Sequence, residues 1–205
     1  MIHCDRQGDI YWITIDRPEK AGALTREMLV ALTTAMTQAQ NAKVVIIKGT
    51  GAVFSAGADL DEARAGLALD PVWEHLSSAV AALPGLTIAA LNGTVAGGAF
   101  GMVLACDLRI TVDHAKFFYP VMKLGFLPQP SDPVRLAALI GPSRAKMILM
   151  AGQKITANEA LQWGLVDRIA PADALIKTAE TLAQDAVNAA GAHIHAIKKM
   201  IPCGQ

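Results

Sequence analysis

The sequence predicts an α/β fold built as a single domain. Short apolar runs rich in β-branched residues alternate along the chain with longer segments in which apolar residues recur at helical spacing. The chain has 205 residues, of which 53% are hydrophobic, enough to bury a core without disulfides or metals. No internal repeat, low-complexity tract or linker-like segment divides it, so we expect one domain.

Strands are predicted where β-branched and aromatic residues form a short run that a turn signal ends. The first such run, Ile-Tyr-Trp-Ile-Thr-Ile, stops before Arg17-Pro18, and the second stops at Gly49. By this criterion the predicted strands are 10–16, 44–48, 86–91, 108–112, 116–119 and 166–169.

Helices are predicted where apolar residues recur every three or four positions. In the first helix Thr25 is placed to cap the start, and Met28, Leu32 and Met36 follow at helical spacing. The predicted helices are 24–40, 61–69, 71–83, 97–105, 131–139, 143–150, 157–163, 172–188 and 191–201.

Composition excludes several classes of protein. With 18 basic and 18 acidic residues the formal net charge is zero, which argues against nucleic acid and anionic membrane surfaces as partners. The segment 76–106 has no charged residue, but Pro84-Gly85 and Asn92-Gly93 break it into pieces too short to span a membrane.

Short sequence motifs that mark several classes of enzyme are absent from the sequence. The sequence has no phosphate-binding GxxxxGK[ST] or GxGxxG loop, no GxSxG nucleophile elbow and no HExxH metal motif. His193 and His195 are two residues apart and so face different sides of a helix; we predict no metal site. Cysteines at 4, 106 and 203 form no CxxC pair and no signal peptide is visible, which indicates a cytoplasmic protein.

Two turns rich in small residues follow directly after predicted strands. The first is Phe54-Ser55-Ala56-Gly57-Ala58-Asp59-Leu60, and the second runs from Asn92 to Ala99 into a helix. One backbone N–H from each turn could hold a developing oxyanion, since small residues let ligand atoms approach the main chain. The alternative is that these small residues only permit tight packing of helix on strand.

At these turns the sequence resembles the crotonase (enoyl-CoA hydratase/isomerase) superfamily. The residues that carry the resemblance are the first turn, Asn92-Gly93 with Gly97-Gly98 and Ala105-Cys106-Asp107, supported by Asp16-Arg17-Pro18, Leu124-Gly125, Arg135-Leu136, Ala157-Asn158-Glu159-Ala160 and Gly164-Leu165-Val166. The resemblance implies a spiral of ββα units over residues 1–188 and a shortened C-terminal helical module over 189–205, a single domain overall.

The resemblance also implies a function. Family members bind acyl-CoA thioesters and stabilise an enolate with two backbone N–H groups, which by position are those of Ala58 and Gly98. It implies a coenzyme A site near Ala23, Leu24, Ala56 and Leu60. Coenzyme A is then part of the substrate, no cofactor is bound permanently, and the assembly is a homo-oligomer, a trimer or hexamer.

Three departures from the family pattern concern the acids. Hydratases of the family carry glutamates where this chain has Gly101 and Val121, and many isomerases carry an acid where it has Gln129. None of these three residues can exchange a proton. Ordinary hydration is therefore doubtful, and decarboxylase-type or isomerase-type chemistry is expected instead. The alternative is a catalytically silent acyl-CoA-binding or partner protein.

Asp132 is the candidate replacement acid or base, three residues beyond Gln129. Its competing interpretation is a helix N-cap before Pro133. Tyr119 is expected to serve packing and Asp59 to hold the first turn. The remaining candidates, Asp61, Glu62, Glu74 and His75, are expected on solvated faces of the helices after that turn.

Overall fold

The computed structural model describes residues 1–201; Cys203 and the rest of the predicted C-terminal segment after residue 201 lie outside the described residues. Ten strands are assigned within it: β1 (Ile2–Gln7), β2 (Ile10–Ile15), β3 (Val44–Gly49), β4 (Val53–Ser55), β5 (Leu86–Leu91), β6 (Thr94–Ala96), β7 (Leu108–Thr111), β8 (Lys116–Phe118), β9 (Ile155–Thr156) and β10 (Arg168–Ile169).

The same described segment has ten α-helices and three short 3₁₀ turns. The helices are α1 (Arg26–Gln38), α2 (Leu60–Arg64), α3 (Val72–Ala81), α4 (Ala99–Ala105), α5 (Val121–Leu124), α6 (Asp132–Ile140), α7 (Pro142–Leu149), α8 (Ala157–Trp163), α9 (Leu175–Asn188) and α10 (Gly191–Met200). The 3₁₀ turns are Pro18–Lys20, Ala39–Asn41 and Leu67–Leu69.

The strands of residues 1–201 form two sheets. The larger has the order β1-β2-β3-β5-β7-β10, parallel except for the β1–β2 hairpin, and the smaller has the order β4-β6-β8-β9. Successive strand pairs β3–β4, β5–β6 and β7–β8 each place one strand in each sheet before the chain enters a helix. The expected α/β class and spiral of ββα units are therefore confirmed.

The core lies between the larger sheet and the helices that cover it. Strands β3 and β5 are buried along most of their length, as their continuous apolar runs require, because parallel strands are covered on both faces. Helices α3 and α4 pack closely against each other. Helix α10 is fastened to the sheet by Lys198 Nζ, which donates to Asp107 Oδ2 at 2.7 Å and to the Gly85 carbonyl at 2.9 Å.

Several elements differ from the sequence-based expectation. Strand β1 was not predicted, because it is an edge strand with mostly exposed polar residues and no apolar run. Strands β4 and β6 are only three residues long and were assigned to turns. The predicted helix 61–69 is interrupted at Gly66, whose φ of +106° lies in the left-handed region that ends a helix. Within residues 1–201, no helix is both long and apolar enough to cross a membrane.

Candidate active site

The two predicted turns meet at one edge of the smaller sheet. Strands β4 and β6 pair in parallel, so the turns that follow them emerge side by side. Gly57, with φ of +90°, packs so tightly that a Cβ atom there would lie 2.9 Å from the Ala96 carbonyl oxygen and 3.4 Å from Gly97 Cα. Gly97 is also left-handed, with φ of +57°. The close packing that small residues permit is therefore present at these two turns.

The N–H groups of Ala58 and Gly98 have no acceptor among residues 1–201. Around Ala58, the Leu24 N–H donates to the Gly57 carbonyl at 2.8 Å and the Asp59 N–H donates to the Leu24 carbonyl at 2.9 Å. In a parallel bridge of this kind, the N–H of the central residue points away from the partner strand. Gly98 is the N-cap residue of α4, where an N–H lacks a helical partner. The turns thus offer two free donors.

Helix α3 forms a wall beside Gly98 and Gly101. A Cβ on Gly98 would lie 2.9 to 3.1 Å from the Trp73 indole ring, and one on Gly101 would lie 3.4 Å from Ser77 Cβ. Trp73 and Ser77 are four residues apart on α3 and face two positions three apart on α4. Sequence analysis missed Trp73, because this spacing shows that the two residues share a helix face but does not show which helix that face contacts.

Asp132 reaches this same place from helix α6. The side chain is fully buried, and its Oδ1 atom lies 3.0 Å from where a Cβ on Gly101 would be. Oδ2 accepts a hydrogen bond from the Tyr119 hydroxyl at 2.9 Å, whereas Oδ1 has no partner among the described residues. Asp132 is the first residue of α6 and caps no backbone N–H, so its interpretation as an N-cap was wrong.

The environment of Asp132 favours its protonated form. Burial raises the pKa of the carboxyl from 3.8 to about 7, with a further upward contribution from the Glu74 charge; the Tyr119 hydrogen bond and Arg135 act in the opposite direction. Burial, followed by the charge of Asp132, also raises the pKa of Tyr119, so that phenol remains a hydrogen-bond donor. A carboxyl with a pKa near neutrality can both accept and release a proton.

Glu74 does not lie on a solvated helix face, as was expected, but joins α3 to the start of α6. Its carboxylate accepts hydrogen bonds from the Ser131 backbone N–H, at 3.1 Å, and from the Ser131 hydroxyl. The Ser131 hydroxyl makes no capping bond to α6. This link holds the residue before Asp132 against the wall formed by α3.

The positions of the usual family acids carry no acid in the folded structure either. Val121 is buried at the start of α5, and Gln129 is buried next to Tyr119. Gly101 leaves the space that Asp132 Oδ1 approaches. Asp132 is therefore the carboxyl that the fold brings to this space.

The predicted coenzyme A residues divide into two groups. Ala23 is half-buried, and Ala56 and Leu60 are exposed beside the first turn, with Leu60 73% exposed. Leu24, by contrast, is fully buried, and its side chain belongs to the core. The backbone of this region is held by the Ala56 N–H, which donates to the Ala21 carbonyl at 2.9 Å.

Asp59 holds the first turn, as expected. Its carboxylate pairs with Arg17 at 2.9 Å and accepts from the Asp61 N–H at 3.1 Å. Asp61 and His75 are exposed, and Glu62 accepts from the Arg26 N–H at 2.7 Å. In the part of the chain that the structure describes, no group of three or more His, Cys, Asp or Glu side chains is arranged to hold a metal ion.

A separate apolar groove of about 750 Å³ lies between β7, α6, α9 and α10. None of the predicted site residues lines it. Its volume therefore says nothing about the chemistry at Asp132, and the candidate site is defined by the turns and the buried carboxyl.

Comparison with known proteins gives consistent matches. The family model described as Enoyl-CoA hydratase/isomerase matches residues 5–202. A carnitinyl-CoA dehydratase from Salmonella enteritidis PT4 (strain P125109) is 36% identical over 209 residues, 97% of this chain and 79% of the relative. One from Citrobacter koseri is 36% identical over 207 residues, with the same coverage.

Solved structures agree with these matches. An enoyl-CoA hydratase from Bacillus anthracis superposes with a TM-score of 0.89 at 32% identity, covering 97% of this chain and 81% of that one. An enoyl-CoA hydratase from Mycobacterium marinum gives a TM-score of 0.88 at 28% identity and covers 97% of both chains.

Proposed function

The chain belongs to the enoyl-CoA hydratase/isomerase family, and from that premise we propose that it catalyses an isomerase-type proton shift on an acyl-CoA thioester, with Asp132 as the single acid–base group. The observation that carries the proposal is the buried carboxyl of Asp132, whose Oδ1 has no partner among residues 1–201 and lies next to Gly101. An unpaired buried oxygen costs free energy, and buried groups with perturbed pKa values are concentrated at functional sites.

The proposed step begins with a 3-enoyl thioester. Asp132 Oδ1, ionised, removes a proton from C-2, and the electron pair of the broken C–H bond moves into the thioester carbonyl. The resulting dienolate oxygen is held by the N–H groups of Ala58 and Gly98, which are free for this purpose. Asp132 then returns the proton to C-4, and the double bond lies between C-2 and C-3. Atoms and charge balance, and one carboxyl suffices.

The pKa of Asp132 supports this use. With a value raised by burial to about 7, the carboxyl is partly ionised at neutral pH and can act first as base and then as acid. The uncharged α4 and the Trp73 wall keep the site apolar, and hydrogen bonds from the two N–H groups to an enolate are stronger in such surroundings.

A dehydratase-type elimination is the second candidate, because the curated relatives are named carnitinyl-CoA dehydratase. Elimination needs a proton removed at C-2 and another delivered to the leaving hydroxyl group. Asp132 would have to carry out both proton transfers, because the two glutamates that the family resemblance assigns to hydratases are absent. The proton shift makes the smaller demand on this site.

The proposed substrate and surroundings follow from the family. An acyl-CoA thioester would lie across the first turn, with Ala23, Ala56 and Leu60 near the coenzyme A portion and Leu24 contributing only backbone. No permanent cofactor enters the proposed step. We expect a homo-oligomer in the cytoplasm, a trimer or hexamer by analogy with the family.

To test the proposal, the protein is incubated in D₂O with a panel of coenzyme A thioesters: 2-enoyl, 3-enoyl, 3-hydroxyacyl, malonyl and methylmalonyl. Mass spectrometry then reads deuterium incorporation together with loss of water or carbon dioxide. We expect the enoyl substrates to incorporate deuterium without losing water or carbon dioxide. Asp132→Asn should slow this exchange at least about 100-fold, whereas Asp61→Asn, which changes an exposed carboxylate, should not.

Other results would contradict the proposal. Binding of the thioesters without any isotope exchange would indicate the silent binder. Hydration of crotonyl-CoA at an ordinary enzymatic rate would show that the absence of acids at Gly101 and Val121 was misread. Substitution of Gly98 is a poor test of the oxyanion donor, because any Cβ there meets the Trp73 ring at 2.9 Å.

A further inference from the structure

Tyr119 is held rigidly at the end of β8 with its hydroxyl directed into the candidate site. The side chain is buried, and its ring packs on Phe100 of α4 with centroids 5.5 Å apart at a 32° tilt. The backbone is fixed as well, because the Val121 N–H donates to the Tyr119 carbonyl at 2.9 Å. A phenol fixed at both ring and backbone has little freedom to turn away.

The hydrogen bonds of the phenol determine where its proton lies. The Gln129 backbone N–H approaches the hydroxyl oxygen at 3.5 Å and can only donate. The single phenol proton is therefore available to Asp132 Oδ2, which lies 2.9 Å away. The carbonyl oxygen of a protonated carboxyl is a better acceptor than its hydroxyl oxygen, so the hydrogen bond to Oδ2 favours the acid proton on Oδ1.

Oδ1 is the oxygen of Asp132 from which a proton can reach a ligand. It has no partner among the described residues and faces the space beside Gly101, 3.0 Å from where a Cβ would be. If the carboxyl rotated, the proton would face Tyr119 and be unavailable to a ligand. The phenol thus distinguishes two oxygens that are chemically equivalent in a free carboxyl.

Among residues 1–201, the charged and titratable groups that act on Asp132 come from three elements. Tyr119 approaches from the end of β8, Glu74 from α3 and Arg135 from α6. Helix α4 presents Gly101 and contains no charged residue. Of the three, only Tyr119 is hydrogen-bonded to the carboxyl.

We propose that Tyr119 is a positioning residue: its hydroxyl holds Oδ2 of Asp132 so that Oδ1 alone carries the exchangeable proton toward the substrate. This inference rests on the proposed proton shift for its catalytic consequence, but the positioning itself is a property of the protein without substrate. It gives Tyr119 a role beyond the packing that its place at a strand end suggests.

The test compares Tyr119→Phe with Tyr11→Phe in the full chain. Tyr11 is the matched control: it is the other tyrosine of the sequence, it is buried, and its hydroxyl also donates to a side chain, Gln38 Oε1, at 2.9 Å. Carboxyl ¹³C NMR of aspartate-labelled protein follows the titration of Asp132, which Asp132→Asn assigns by loss of its resonance.

We expect Tyr119→Phe to raise the midpoint of the Asp132 titration by about one pH unit, because a charge-assisted hydrogen bond to the ionised form is lost. The pH profile of isotope exchange should shift upward by the same amount, with KM unchanged. Tyr11→Phe should move neither. An unchanged Asp132 midpoint in folded Tyr119→Phe protein would overturn the inference.

A second measurement leaves the fold intact. Protein labelled throughout with 3-fluorotyrosine has two fluorine positions, Tyr11 and Tyr119. The Tyr119 ¹⁹F resonance should shift with the same midpoint as Asp132, and the Tyr11 resonance should not; a Tyr119 resonance insensitive to that titration would refute the contact. Neither titration uses substrate, so a wild-type protein without isotope exchange would disprove the proposed function while these measurements still decide the role of Tyr119.

Discussion

Replacing Asp132 with asparagine should stabilise the protein, and should do so more at high pH than at low pH. The carboxyl is fully buried, and burial raises its pKa from 3.8 to about 7. Between these two values the native state retains a proton that the unfolded chain releases. Stability therefore falls as the pH rises from about 4 to about 7 and then levels off. Asparagine has nearly the same shape and no charge to desolvate.

The pKa shift of Asp132 determines how much Asp132→Asn should change the free energy of unfolding. A rise from 3.8 to about 7 corresponds to about 4 kcal/mol of destabilisation once Asp132 is fully ionised in the native state. At pH 5 about 2 kcal/mol of this is already present, because the unfolded chain is ionised there and the native state is not. Asp132→Asn should consequently be about 2 to 3 kcal/mol more stabilising at pH 8 than at pH 5.

Urea unfolding of wild type and Asp132→Asn, followed by circular dichroism at pH 5 and pH 8, measures this difference. Comparing the two proteins at each pH cancels the titration of the groups that do not interact with Asp132. Asp61→Asn is the control, since that side chain is 89% exposed and should give the same small change at both values. An Asp132→Asn effect that is equal at pH 5 and pH 8 would refute the assignment of a buried, neutral carboxyl.

Three further changes probe the surroundings. Gly101→Ala places a Cβ 3.0 Å from Asp132 Oδ1, so the roughly 1 kcal/mol of helix propensity gained over glycine should be offset by crowding; urea unfolding should show no net stabilisation, and isotope exchange should slow. Glu74→Gln keeps an acceptor for the Ser131 N–H but removes the neighbouring charge, which should lower the pKa of Asp132 in the ¹³C titration; an unchanged midpoint would contradict the electrostatic coupling. Lys198→Met removes the donor to Asp107 and to the Gly85 carbonyl. We expect it to lower the free energy of unfolding in urea by about 1 to 3 kcal/mol and to increase hydrogen exchange in α10. Lys177→Met on α9 is the control and should do neither, because the Lys177 side chain makes no comparable bond among residues 1–201.

The fold class could be predicted from the sequence because its signals are local. Continuous apolar runs identified β3 and β5, and helical spacing identified α1 and α3. Elements without such a signal were missed. Strand β1 carries polar side chains at the edge of the larger sheet. Strands β4 and β6 are three residues long and are defined by pairing in the smaller sheet, of β4 with β6 and of β6 with β8.

The backbone part of the candidate site could be located from sequence for a similar reason. Gly57 and Gly97 allow the left-handed turns that bring the two segments together, and small residues at such positions form a recognisable pattern. For the side-chain part, the sequence named Asp132 as a candidate but left two interpretations of it open, an acid or base and a helix N-cap. Asp132 preceding Pro133 has the pattern of a helix cap, and only the three-dimensional contact with Tyr119 shows that its carboxyl points inward.

The position of Asp132 explains how a carboxyl reaches the site although segment 76–106 has no charged residue. This segment contributes the second half of α3, including Ser77, and all of α4, and its Gly101 offers no acid where the resemblance places one in hydratases. The carboxyl comes instead from α6, through a gap that a larger side chain at position 101 would close, since Oδ1 lies 3.0 Å from the Cβ position. Glycine at 101 and aspartate at 132 are thus complementary: the first makes room and the second fills it. We expect a glutamate at position 101 to displace Asp132 rather than add to it, because even the Cβ atom of such a side chain would lie 3.0 Å from Oδ1. A single carboxyl at this place agrees with the proposed reaction, which moves one proton.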